Sequence, residues 1–488
     1  MISNTKLKIF NTLGKNLEVF EPLNSETITF YHCGPTVYWV QHIGNLRAMV
    51  EADFMRRTLS AFGYNVNFVR NYTDVGHLTG DNIGDADSGE DRMAKGAARE
   101  HTTPEAIANK YIAVFDHDLE ELAVLPPTHS PRATEYVTQM QQMVQELLDK
   151  GFAYTTPKAV YYDVSKFPNY TALSGQKLDE NITGSGKGDI QDPAKKKSVD
   201  FALWFFKTGA HQNALQTWKS PFSSPEVEDG EGFPGWHIEC SAMSKTLLGE
   251  TIDLHMGGVE HIPVHHTNEI AQSEAANGRH FVDYWIHNEH LLVDDKKMSK
   301  SEGTSFTLQD VVSKGFEALA LRYFFLNAHY RSKQNFTWEG MTAAQKSLDG
   351  LRASSRKVME AAEAKSGEVI SSFYQKFLDA LANDFNLTAA LATVFELLAN
   401  YQNSEFSAAD YYATLVKMDE VLGVDLFKAP AQKAALSTEQ TSAIEALIAL
   451  RNTAKAEKNF AEADRIRDEV SSKFAVKLVD SAAGTSWE

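Results

Sequence analysis

The spacing of apolar residues changes period twice near the start of the chain. Glu26 to Tyr31 (ETITFY) is rich in β-branched and aromatic residues and predicts a strand. From Asn45 to Phe62 (NLRAMVEADFMRRTLSAF) apolar residues recur at helical spacing. Tyr64 to Arg70 (YNVNFVR) alternates like a second strand. A strand–helix–strand unit of this length predicts a parallel pair in an α/β layer fold. Cys33-Gly34-Pro35 breaks the first strand, so Cys33 and the loop to Gly44 fall at its carboxyl end. Open α/β sheets bind ligands there.

Farther along, Thr103 to Ala123 reads as helix, Pro126, Pro127 and Pro131 punctuate a connection, and Ala133 to Lys150 is an amphipathic helix closed by Gly151. The stretch from Gly151 to Ser224 is irregular with short strands such as Ala159 to Val164, and reads as an insertion. Mixed strand and helix return from Pro234, with a strand expected over Ile286 to Val293 and a charged loop over Asp294 to Thr304. Beyond Leu308 the pattern is almost wholly helical. Lys428 to Thr438, with Pro430, reads as a linker, and the last piece as a helical pair with a strand-like tail. The expected domains are 1–140 and 225–320 as two halves of one α/β domain, 141–224 inserted between them, 321–428 as a helical bundle, and 429–488 as a C-terminal domain.

Composition narrows the class. The chain has 488 residues, 43% hydrophobic and 23% charged, an ordinary soluble mixture that needs no disulfide or metal staple for size. No stretch approaches the roughly 18 uninterrupted apolar residues of a membrane helix, and MISNTKLKIFNTLG has no apolar signal-peptide core. A cytoplasmic enzyme or binding protein is expected. The net charge of −18 argues against a body held on nucleic acid by bulk charge, and leaves room for a local basic surface. Only two cysteines are present, Cys33 and Cys240. By count alone they fit core thiols as well as ligands.

Four segments carry candidate chemistry. Gly184-Ser185-Gly186-Lys187-Gly188 fails as a phosphate loop, because Gly188 follows the lysine where Ser or Thr is needed. In DLHMGGVEHIPVHHTNEIAQ, His265 and Glu269 are four apart on a helix that starts after Pro263, so they share a face. Alone such a pair on a helix is more often a solvated ion pair. With Cys33 and Cys240 it makes a thiolate, imidazole and carboxylate set suited to zinc. Lys297-Met298-Ser299-Lys300-Ser301 puts two lysines among small hydroxyl residues after a strand, which suits an anion such as triphosphate or a solvated turn. His42-Ile43-Gly44-Asn45 opens a helix whose N–H groups and dipole favour phosphate. There His42 is a donor, and Gly44 permits close approach of an adenine ring. Near the end, Arg451, Lys455 and Lys458 recur at helical spacing, followed by Arg465 and Arg467. That stripe fits either a solvated face or a nucleic-acid contact.

CGPTVY, HIGN, GWHIECSAMS, VHHTNEIAQSEA, KMSKS and the terminal GTSW occur together in one order. In these motifs, from about Lys8 to Trp487, the chain resembles the class I aminoacyl-tRNA synthetases, and within them the cysteinyl-tRNA synthetases. The resemblance implies a Rossmann-like catalytic domain with a connective insertion, a helical bundle and a small anticodon-binding domain. It places zinc ligands on Cys33, Cys240, His265 and Glu269, and one zinc per chain. It places ATP contacts on His42, Gly44, Asn45, Gly258, Glu260, Lys297 and Lys300, with His42, Asn45, Lys297 and Lys300 as the catalytic set. The small amino-acid pocket falls on Thr36, Thr73 and Trp236. Arg451, Lys455, Lys458 and Trp487 fall on the piece that reads tRNA, where Trp487 would stack on an exposed base.

Three positions depart from the family pattern. Asn45 stands for the second histidine of HIGH, Glu260 for the aspartate of Gly-x-Asp, and Thr267 for a glutamate between the zinc ligands. Asn45 still donates a hydrogen bond but cannot become cationic. The implied activity is activation of L-cysteine by Mg-ATP, followed by transfer to tRNA(Cys), in a monomer without membrane contact. The competing readings are a cysteine-adenylating ligase with a small amine acceptor, as in the mycothiol pathway, a non-catalytic tRNA-binding paralogue, and a zinc hydrolase. Four protein ligands leave less room for a metal-bound water than the usual three.

Overall fold

The computed structural model of the chain describes residues 5–76, 78, 90–176, 192–298, 303–429, 438–474, 476, 478–481 and 484–487. They form two compact units, Met1–Lys428 and Ala429–Glu488.

The first unit is organised by a parallel sheet with strands in the order Val282–Asn288, Ile252–Gly258, Thr27–His32 and Asn65–Arg70. Every pairing in it is parallel. All seven residues of Ile252–Gly258 are buried, as expected of a strand covered on both faces. The expected helix spans Ile43–Ala61 and crosses from Thr27–His32 to Asn65–Arg70. His42 caps it, and Gly63 at φ 92° supplies the left-handed turn into the next strand. Ile43, Leu46, Val50 and Phe54 bury its inner face.

The segment read as an irregular insertion is more ordered than its pattern suggests. It holds an antiparallel sheet of Ala153–Thr155, Ala159–Tyr162, Phe201–Phe206 and Gly232–Pro234. Phe201–Phe206 is buried at every position, so FALWFF shows no alternation. The last strand of this sheet lies beyond residue 224.

The single strand expected over Ile286 to Val293 is two strands. Val282–Asn288 belongs to the parallel sheet, and Leu291–Val293 to a small sheet with Lys296–Lys297 and Gln334–Phe336. Between them, the carbonyls of Glu289 and His290 accept from the Arg47 guanidinium, and that of His290 also from the Gln334 N–H at 3.3 Å. The helices that follow, Ala318–Leu326, Trp338–Ala362, Ser371–Ala382, Leu387–Asn400 and Ala408–Leu422, share one apolar core with Ile43–Ala61. Buried Arg322 stitches them to it. Its guanidinium reaches Asp53 at 2.7 Å, the Leu422 carbonyl at 2.8 Å and the Leu122 carbonyl at 3.0 Å.

The C-terminal unit pairs helices Thr438–Ala456 and Phe460–Phe474 with the hairpin Leu478–Ser481 and Gly484–Trp487. Ile444, Ile448, Ile466 and Val470 form its core.

Candidate active site and metal centre

Cys33 follows the last residue of the strand Thr27–His32, Cys240 lies on the helix Trp236–Leu248, and His265 opens the helix His265–Asn277 with Glu269 one turn on. All four are buried at the carboxyl edge of the parallel sheet. Cys33 Sγ is 3.9 Å from Cys240 Sγ and 3.6 Å from Glu269 Oε1, and His265 Nε2 is 3.1 Å from Glu269 Oε1. These distances exclude a disulfide, whose sulfurs would sit about 2.05 Å apart. A tetrahedral zinc, bonded at about 2.3 Å to sulfur and about 2.0 Å to nitrogen or oxygen, sets edges of roughly 3.8 Å between sulfurs and roughly 3.3 Å between nitrogen and oxygen. The four side chains therefore fit a tetrahedral zinc in both donor type and spacing.

The charge state asks for a cation. Burial opposes ionisation of Cys240, but the Cys33 S–H donated to its sulfur and the charge on His265 bring its pKa down to about 6. Burial likewise opposes a charged His265, yet the Glu269 carboxylate and the Cys240 sulfur push its pKa up to about 10. Burial also works against ionised Glu269, and the His255 and His265 imidazoles outweigh it, holding the carboxyl well below the usual range. Without metal, two buried anions share one cation. Cys33, raised by burial beside Cys240, keeps its proton until a metal displaces it.

Four further histidines surround this set, and single-residue reading did not pick them out. His255 Nε2 is 2.9 Å from Glu269 Oε2, His237 Nδ1 is 2.9 Å from His265 Nδ1, and His266 Nδ1 is 2.7 Å from His287 Nε2. Burial depresses the pKa of His237, His266 and His287 well below the ordinary value, so they are neutral. Cys33, His255, His266 and Glu269 also converge closely enough to hold an ion. However, His255 is hydrogen-bonded to Glu269 Oε2, and His266 bridges His287 through Nδ1 and the Cys33 sulfur through Nε2 at 3.4 Å. Their geometry suits groups that orient the ligands from behind. The available signal was density: half of the chain's 16 histidines fall between His237 and His290.

Beside this centre lie the expected pocket residues. Thr36 and Thr73 face each other in a parallel bridge, and Trp236 stacks on the His265 ring at 4.3 Å. The Thr73 hydroxyl donates to Glu239 Oε2 at 2.9 Å, and Glu239 is fully buried. Gly34 brings the backbones together, since a Cβ there would lie 1.6 Å from the Asn71 carbonyl oxygen.

The other expected ATP residues gather around the start of Ile43–Ala61. His42 Nδ1 accepts from the Asn45 N–H at 3.2 Å, which puts the proton of a neutral ring on Nε2 as a donor. Asn45 Nδ2 donates to Gln41 Oε1 at 2.5 Å, and Gln41 Nε2 donates to the carbonyls of Thr36 and Trp39. A Cβ on Gly44 would lie 2.2 Å from Met298 Cε, so the lysine segment packs directly on the HIGN turn. Lys297 is exposed, at the end of a hairpin turned by Asp294 and Asp295 at φ 49° and 62°. Lys300 lies outside the described residues. Gly258 ends the strand Ile252–Gly258, and the Glu260 carboxylate folds back over it, 3.6 Å from His290 Nδ1.

The structure places the C-terminal basic residues differently from a bare stripe. The Arg451 guanidinium is bidentate to Asp480 at 2.8 and 3.0 Å, and Lys455 Nζ reaches the same carboxylate at 2.6 Å. Lys458 is exposed in the turn between the two helices. Trp487 packs on the core of its unit.

Residues 19–346 match the family described as tRNA synthetases class I (C) catalytic domain. The cysteine–tRNA ligase of Treponema denticola is 39% identical over 99% of both chains, and that of Streptococcus mutans 38% identical over 99% of both. The chain belongs to the cysteine–tRNA ligase family of class I synthetases. Among solved structures, a class I neighbour is the LeuRS–tRNA–LeuAMS complex of Agrobacterium radiobacter K84, with a TM-score of 0.62, 10% identity, and coverage of 84% of this chain and 87% of that one. Methionyl-tRNA synthetase of Mycobacterium tuberculosis aligns with a TM-score of 0.55 at 15% identity, covering 82% of this chain and 90% of that one. At such identities these two speak for the class I fold alone. Among the described residues no helix is long and apolar enough to cross a membrane.

Proposed function

We propose that this chain is a cytoplasmic, monomeric cysteine–tRNA ligase that holds one zinc on Cys33, Cys240, His265 and Glu269. The observation that carries the reading is the convergence of these four buried donors within 4.8 Å of one another, beside the Thr36, Thr73 and Trp236 pocket. Bound there, zinc would supply a borderline-soft Lewis acid able to take a fifth ligand and to prefer a substrate thiolate to a serine hydroxyl. Such discrimination needs no separate editing domain.

The chain's own residues handle the rest. Thr36, Thr73 and Trp236 orient the amino acid so that its carboxylate faces the α-phosphate of Mg-ATP. Attack there forms cysteinyl-adenylate and releases pyrophosphate. His42 through Nε2–H, the Asn45 side chain and the positive end of the helix dipole serve one side of the triphosphate. Lys297 and Lys300 serve the other, while Gly258 and Glu260 contact the nucleoside. A terminal ribose hydroxyl of tRNA(Cys) then attacks the carbonyl and AMP leaves. Catalysis rests on alignment and charge stabilisation without a covalent enzyme intermediate. Lys458, Arg451, Lys455 and Trp487 belong to the unit that meets the tRNA. Its Arg451 and Lys455 shape the fold through Asp480, so Lys458 is the more accessible phosphate contact.

The test is cysteine-dependent ATP–pyrophosphate exchange, followed by aminoacylation of tRNA(Cys). Exchange with cysteine and not with serine, and transfer to tRNA(Cys) alone, is the expected result. Exchange without any transfer to tRNA would favour a small amine acceptor instead.

A further inference from the structure

Arg47 is fully buried in the second turn of the helix that opens at His42. Burying a guanidinium costs several kcal/mol unless its donors are met. Here they are met almost entirely by backbone carbonyls outside its own helix. Nη1 donates to Glu289 O at 3.0 Å and His290 O at 3.3 Å. Nη2 donates to Ser332 O at 3.0 Å and His329 O at 3.3 Å, and Nε pairs with Glu51 at 2.7 Å.

Those carbonyls sit at two strand entrances. Glu289 and His290 lead into Leu291–Val293, and Ser332 leads toward Gln334–Phe336, and these two strands pair in parallel. Leu292 in turn pairs with Lys297. On the far side of the lysine segment, the Ile43 N–H donates to the Phe306 carbonyl at 2.8 Å. Met298 closes against Gly44 between these ties. The segment carrying Lys297 is thus anchored before and after to the first two turns of one helix, the helix that also presents His42 and Asn45.

We propose that Arg47 is a positioning residue for the nucleotide site, holding the lysine hairpin at a set distance from the HIGN turn. The proposal rests on the nucleotide role of His42, Asn45 and Lys297 given above. Packing alone would be met by a long apolar side chain. Only a fork of donors ties both strand entrances to the helix.

The test uses the full-length chain carrying Arg47→Met with Glu51→Gln, which removes the buried guanidinium and its carboxyl partner together and leaves no charge unpaired. In pyrophosphate exchange, KM for ATP should rise at least about tenfold and kcat should fall, while KM for cysteine stays within about twofold, the signature of a misplaced ATP group. Hydrogen exchange of Leu291–Val293 should quicken. Arg47→Lys, which reaches fewer carbonyls, should fall between. A folded double variant with native ATP kinetics would overturn the proposal, and so would equal rises in KM for ATP and cysteine, which mark general loosening. If the double variant does not fold, Arg47→Lys decides by the same split. If the native chain lacks exchange activity, the functional reading fails. Binding of a non-hydrolysable ATP analogue, with hydrogen exchange of Leu291–Val293, then judges Arg47 separately.

Discussion

Glu51 offers a measurement whose size follows from its surroundings. Its carboxyl is buried on the helix Ile43–Ala61, and burial pushes its pKa up to about 7 against an ordinary 4.5, despite the opposing pull of Arg47. Below about pH 4.5 the carboxyl is neutral in both folded and unfolded chains. Between there and about pH 7 the unfolded chain ionises while the folded one still holds its proton. The unfolded state then binds fewer protons, so stability falls as pH rises through this window and levels off above it. The difference corresponds to about 3 kcal/mol. Glu51→Gln keeps the shape and removes the titration. Urea denaturation of the first unit, followed at a series of pH values, should show the variant gaining on the native chain between pH 4.5 and 7, toward about 3 kcal/mol at pH 7.5. Taking the difference cancels every other titrating group. Parallel stability curves for the two proteins would mean that Glu51 is ionised alongside Arg47 throughout, and the burial argument would be wrong.

The purified protein should hold about one zinc per chain, and the Cys240→Ala, His265→Ala double variant should lose it; stoichiometric zinc in that variant by elemental analysis would remove the site. Lys300→Ala should slow pyrophosphate exchange by roughly a hundredfold, about 3 kcal/mol, with little change in cysteine binding, and an unchanged rate would take Lys300 off the catalytic set. Asn45→Ala should cost one to two orders of magnitude, about 1.4–2.7 kcal/mol, in the same assay, through lost phosphate contact and the released Gln41. Asn45→His should be tolerated; equal rates for native and Asn45→Ala proteins would leave the turn to its backbone and His42. Asp480→Ala should lower the melting temperature of the C-terminal unit, because Arg451 and Lys455 lose their shared carboxylate. A heat-stable variant with weakened tRNA binding would point to Asp480 acting at the RNA surface.

Much of the architecture was legible in local pattern. The Glu26–Tyr31 and Tyr64–Arg70 strands and the helix between them emerged within a residue or two at each end, because the switch between a strand's period of about 2 and a helix's of about 3.6 is written in consecutive side chains. The pair His265 and Glu269 was legible for the same reason, since helical spacing alone puts them on one face. Joining that pair to Cys33 and Cys240 drew on the scarcity of cysteine, and placing ATP and the amino acid drew on motif order. Lost to such reading were features made by contacts between distant segments. The strand expected over Ile286 to Val293 divides at Glu289 and His290, whose partners come from distant segments, Arg47 far back in the chain and Gln334 farther on. FALWFF hides its strand because both faces are covered by other elements. His237, His255 and His287 each stand alone in sequence, and only the closing of two helices onto the sheet turns them into a layer behind Cys33, Cys240, His265 and Glu269. Arg451 shows the same limit from the other side. A helical stripe fixes which face a charge occupies, but whether that face meets solvent, RNA or Asp480 depends on a hairpin that folds back from later in the chain.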